Sequence, residues 1–153
     1  MTDTAHSPVH QLRIVVEADD HAEAVAFFRD VLGLPEQAAF EGDGDAKVVI
    51  LDAGRATLEL ANPAQAELID QVEVGRRVAP PIRLAFEVDD AAATTQRLEE
   101  GGAEIIAEPR ITPWQSLNAR LSAPAGLQIT LFQETLSAEE RATRDGFGTS
   151  STR

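Results

Sequence analysis

Residues 12–20 read LRIVVEADD, and residues 82–90 read IRLAFEVDD. Each stretch puts an arginine second, a glutamate sixth and two aspartates last. Each is also followed by the same kind of chain. EADDHAEAVAFFRDVLGLP reads as a helix, with Asp20 as N-cap, Glu23 completing a capping box, and Val25, Phe28 and Leu32 at helical spacing. Gly33 and Pro35 stop it. In the second copy DDAAATTQRLEE reads as a helix ended by Gly101-Gly102. A unit that recurs within one short chain restricts the fold to something built twice.

Three strands follow each helix. In the first unit they are roughly 37–41, 47–54 and 56–62, separated by the turn residues Gly42-Asp43-Gly44-Asp45 and Ala53-Gly54-Arg55. In the second they are IIAEPRITP, SLNARLSA and LQITLFQ, with a turn at Pro124-Ala125-Gly126. Both units therefore read β-α-β-β-β. The connector 63–81 has a short helical part and ends in Pro80-Pro81, which favours extended chain. The expected organisation is α+β: one domain over residues 1–134, made of modules 9–62 and 82–134 joined by connector 63–81. A polar tail, 135–153, is expected to begin with a short helix and then be disordered.

Bulk properties exclude several functions. The net charge is −13 and Lys47 is the one lysine, so the basic patch that a nucleic acid or an anionic membrane surface requires is missing. No apolar run reaches the roughly 18 residues of a membrane span. MTDTAHSPVHQ lacks the pattern of a secretory signal, which makes cytoplasm the expected location. With no cysteine, disulfides, thiolate metal sites and cysteine nucleophiles are ruled out.

The strand–Asp-Asp–helix entry, FFRDVLGL, LEL in the fourth strand, IRLAFEVDD and APAGLQITLF together resemble the vicinal oxygen chelate superfamily over roughly residues 9–134. That group comprises glyoxalase I, the extradiol dioxygenases, and the fosfomycin and bleomycin resistance proteins. The resemblance implies that the two modules form a curved mixed sheet around a cleft, that the cleft holds a small molecule, and that the protein is a homodimer.

Side chains alternate along a half-buried strand. Leu84, Phe86, Ile129 and Leu131 share the apolar faces, whereas Arg83, Ala85 and Glu87, and Gln128, Thr130 and Phe132, share mixed ones. The first module assigns Arg13, Val15 and Glu17, and Thr57, Glu59 and Ala61, to the same class. Periodicity alone is met by a sheet with one wet face. The resemblance turns these mixed faces inward, toward the cleft.

Metal-dependent members of the superfamily place one ligand on each of four strands. Mapped by motif, the positions here are Arg13, Glu59, Arg83 and Thr130. A shift of two would replace Arg13 by Gln11. A guanidinium has no lone pair to offer a cation, and only Glu59 is a competent ligand. His6, His10 and His21 lack partners at ligand spacing. The expectation is therefore no metal and no other cofactor.

Two roles for the arginines stand open. They pair with Glu17, Glu59 or Glu87 and fill the space of a metal, or they grip a carboxylate or phosphate. Arg120 and Asn118 share one face of SLNARL. Trp114 is either a stacking wall or a loop residue covering the core edge or a dimer contact. The candidate ligand-binding residues are thus Arg13, Val15, Glu59, Arg83, Trp114, Asn118, Arg120, Thr130 and Phe132. Ser116 and Ser122 lack an elbow motif and an activating histidine, so no nucleophile is assigned. The leading expectation is a metal-free small-molecule-binding protein of bleomycin-resistance type. The alternative is a lyase, isomerase or dioxygenase of the same superfamily with a displaced metal or a metal-independent acid–base mechanism. An interaction module whose cleft serves only dimerisation is a third.

Overall fold

The computed structural model describes residues 10–11, 13–57, 59–137 and 139–140. Helix α1, His21–Val25, starts where expected: the Asp20 carboxylate accepts from the Glu23 amide at 3.0 Å. The helix then widens to π pitch over Ala26–Val31, with the Leu32 amide reaching back to the Phe27 carbonyl at 2.9 Å. The wider turn buries two adjacent rings, Phe27 and Phe28, edge to face at 5.1 Å. Gly33, at φ +96°, ends the segment in a conformation that costs a glycine nothing.

Strands β1, Glu36–Glu41, and β2, Lys47–Leu51, form an antiparallel hairpin around a tight turn at Asp43–Asp45. Helix α2, Pro63–Glu73, follows, capped by the Asn62 side chain on the Gln65 amide. The second unit is complete: β3 (Leu84–Glu87), α3 (Ala91–Glu100), β4 (Glu104–Ile111), β5 (Ser116–Ala123) and β6 (Leu127–Glu134). Its sheet runs β3-β6-β5-β4, with β3 parallel to β6 and the other pairs antiparallel. Asp90 caps α3 through the Ala93 amide.

One face of this four-stranded sheet makes the core. Leu121, Ile129 and Leu131 are fully buried against Leu98 of α3 and against Phe27 and Phe28. Each such side chain contributes about 1.5–3 kcal/mol by leaving water. Gly101, at the end of α3, has Val31 packed where a Cβ would stand, and the Arg97 side chain donates to the Val31 carbonyl at 3.1 Å. These contacts join the first helical segment to the second unit.

The first unit departs from expectation. Residues 12–16 and 56–62 were expected to hold strands, yet the described residues there carry no strand pairing; Leu12 and Leu58 lie outside the described residues. The hairpin β1-β2 thus stands as a sheet of its own, where a second curved sheet was expected. A strand is stabilised by a paired neighbour and a covered face. Here Val15 and Leu60 are 87% and 86% exposed, so neither segment gains burial by pairing. In the tail, Ser137 and Glu140 exchange hydrogen bonds in a capping box that starts a helical turn, and residues 141–153 lie outside the described residues.

Candidate functional site

The other face of the four-stranded sheet is polar. The register places Asn118 opposite Phe132, Arg120 opposite Thr130, and Ser122 opposite Gln128. Parallel pairing adds Ala85 beside Thr130 and Glu87 beside Phe132. The alternation read from the sequence therefore holds across β3, β5 and β6.

Helix α2 packs on the β5 side of this face. Arg120 is fully buried, and its charge is met by two carboxylates from the helix. Nη1 donates to Asp70 Oδ1 at 2.8 Å and to Gln128 Oε1 at 2.8 Å, and Nη2 donates to Glu73 Oε2 at 2.5 Å. Asn118 Nδ2 donates to Glu73 Oε1 at 2.6 Å. Behind it, Ser116 Oγ donates to Asn118 Oδ1 at 2.7 Å and contacts Thr112 Oγ1 at 3.0 Å. Asp70 accepts further bonds on Oδ2 from Arg77 Nη1 and from the amides of Val78 and Ala79, at 2.7, 2.8 and 2.8 Å. A buried charge persists only when paired in this way. Burial would raise the Asp70 carboxyl, but the Ala79 and Val78 amides and the two guanidinium groups outweigh it and hold it far below the usual carboxylate range.

The β3 side of the face is open. Arg83 is half-buried, and its Nη1 donates to Thr130 Oγ1 at 2.7 Å. Among the described residues no carboxylate lies at ion-pair distance from it. Partial burial, and then repulsion from Arg120, push the Arg83 guanidinium below its usual range, while Glu73, Glu59 and Asp70 act the other way through space. Phe132 is half-buried beside Glu87 in the parallel register, and Ala85 and Glu87 are exposed.

Of the sequence candidates, Arg83, Asn118, Arg120, Thr130 and Phe132 share this face. Arg13, Val15 and Glu59 lie in the exposed, unpaired segments, and Arg13 donates to Gln11 Oε1 at 3.1 Å rather than to a glutamate. Trp114 sits half-buried in the turn between β4 and β5, next to Gln115 at φ +64°. Pairing of Arg83 with Glu17, Glu59 or Glu87 at ion-pair distance is replaced by the Thr130 hydroxyl. Asp70 and Glu73 escaped the sequence reading. Their signal is an acidic pair spaced i, i+3 on the helical face that also carries Ala66 and Ile69.

Of the four positions that the resemblance assigns to metal ligands, only Glu59 carries a group able to coordinate a divalent cation. Arg83 presents donors only, and Thr130 Oγ1 already accepts from it. Among the described residues no group of three or more His, Asp or Glu is placed to hold a metal ion. Two open depressions, of about 380 and 410 Å³, lie at the entry to α3 and at the entry to α1, and neither includes Arg83 or Arg120. No helix among the described residues is long and apolar enough to cross a membrane.

TnmS3, an antibiotic binding protein from Streptomyces sp. CB03234, matches the structure with a TM-score of 0.52 at 22% identity, covering 85% of this chain and 100% of its own. A glyoxalase-related enzyme from Fulvimarina pelagi matches with a TM-score of 0.51 at 14% identity, covering 85% of this chain and 94% of its own. At such identities the likeness concerns the fold. No curated protein matches the chain. The model of one family, however, matches residues 10–131, which is most of the chain. The protein belongs to the Glyoxalase/Bleomycin resistance protein/Dioxygenase superfamily.

Proposed function

We propose that this protein binds a small organic molecule without a metal, on the polar face of the second unit where that face turns toward the first. The observation that carries the reading is the 2.7 Å bond from Arg83 to Thr130. In this reading a fixed guanidinium stands where metal-dependent relatives would hold a cation. Arg83 keeps further donors, and Phe132, two residues beyond Thr130 on the same face, supplies an apolar wall. A few fixed polar groups next to an aromatic surface are the usual makings of a small-molecule site. Arg13, Val15, Glu59 and Trp114 complete the site in this reading, as lining contributed when the exposed segments close. The exposed apolar side chains of Val15 and Leu60 favour a second copy of the chain as the cover.

Native mass spectrometry of freshly purified protein, with elemental analysis of a tag-free sample, tests the proposal. The expected result is a co-purified small molecule on a dimer and no stoichiometric zinc, nickel, manganese or iron. A retained equivalent of any of these metals would sink it.

A further inference from the structure

The two carboxylates that meet Arg120 are held differently. Asp70 lies inside α2 and takes four hydrogen bonds, two of them from the backbone that follows the helix. It is an anchor. Glu73 is the last residue of α2, followed by Val74 and by Gly75 at φ +92°. Its carboxylate accepts two bonds, one from Arg120 Nη2 and one from Asn118 Nδ2. A helix end opens at far lower cost than a helix centre.

The receiving side has a donor to spare. Arg120 Nε is buried and has no hydrogen-bond partner among the described residues. Nε and Nη2 form the edge of a guanidinium that takes a carboxylate with two parallel bonds. Glu73, fixed to the helix, uses Nη2 of that edge and leaves Nε unmet. A free carboxylate can use both. Leaving a buried donor unmet is costly, so the arrangement favours a ligand that meets it.

From this we infer that Glu73 is an internal stand-in for a ligand carboxylate. The molecule bound on the polar face is a carboxylic acid. Its carboxylate displaces Glu73 from Arg120 and Asn118, while the last turn of α2 opens between Asp70 and Val78, which the Asp70 carboxylate keeps joined. The inference rests on the proposed small-molecule site and specifies the class of its ligand. Arg83, on the same face one strand beyond Thr130, is placed to meet a second polar group of that molecule.

Propionate has the same carboxylate and two-carbon chain as the glutamate side chain, and serves as the probe. Hydrogen exchange on the whole chain is measured with propionate, with inorganic phosphate, and with chloride at equal ionic strength. Propionate is expected to speed amide exchange at residues 71–75 at least fivefold while β5 stays protected, and chloride is expected not to. In Glu73→Gln, which weakens the internal competitor, propionate is expected to bind at least tenfold more tightly. No response in the wild-type chain, or an equal response to chloride, overturns the inference whether or not the variant folds. A response to phosphate alone overturns the carboxylate assignment. A neutral co-purified molecule would leave the proposed site standing and remove only the acid. A propionate response in a protein that retains a divalent metal would do the reverse.

Discussion

Arg120 and Glu73 are 47 residues apart in the chain and 2.5 Å apart in the fold, and both are buried. Their contact seats the connector helix on the polar face of the second sheet. Removing one member strands the other's charge in a dry site. Arg120→Leu leaves Asp70 and Glu73 without their common partner and is expected to cost about 3–5 kcal/mol in urea denaturation. Adding Asp70→Asn and Glu73→Gln to Arg120→Leu is expected to recover part of that loss.

The same site contributes to stability in a pH-dependent way. Asp70 has a carboxyl held far below the 3.8 of an unperturbed aspartate. The folded state therefore binds its proton more weakly than the unfolded state does. The stabilisation is complete above the unfolded value and is lost as pH falls below it toward the folded one. Thermal melts from pH 7 to pH 2 are expected to show the drop beginning near pH 4, with a shallower acid limb in Asp70→Asn.

Asn118 tests the neutral part of the network. Asn118→Ala removes a bond to Glu73 and one from Ser116, leaving a buried acceptor and a buried hydroxyl donor without these partners. The expected cost is about 1–3 kcal/mol, read from the denaturation midpoint.

Gly101 tests the joint between the units. Its φ is ordinary, but a Cβ there would run into the Val31 side chain. Gly101→Ala is expected to destabilise by about 1–3 kcal/mol through overpacking. Val31→Ala in the same chain is expected to restore most of it, a coupling that a double-mutant cycle measures.

Thr130→Val addresses ligand binding. It keeps the side-chain shape and removes the hydroxyl that fixes Arg83. The share of protein carrying a co-purified molecule is expected to fall at least tenfold in native mass spectra, with the melting temperature nearly unchanged. An unchanged ligand load would exclude this hydroxyl from the site.

Much of this was legible before any coordinates. Apolar alternation in LAFE and LQITL identified the core face, because a strand's period of two holds whatever packs against it. Asp20, Asp90, Gly33 and Gly101 marked helix ends because capping is a local matter of one or two turns. The arginine at position 83 was readable as incompatible with a metal ligand, since a guanidinium lacks a lone pair in any environment.

The partners of the arginines were decided only by the tertiary structure. Arg120 meets Asp70 and Glu73 because α2 crosses β5, a relation between distant parts of the chain that no local pattern encodes. The same holds for the unequal units. LRIVVEADD and IRLAFEVDD look alike, but among the described residues only the second pairs with a neighbouring strand, β6. A strand exists where a neighbouring edge and a covered face stabilise it together, so two stretches of the same pattern take different structures.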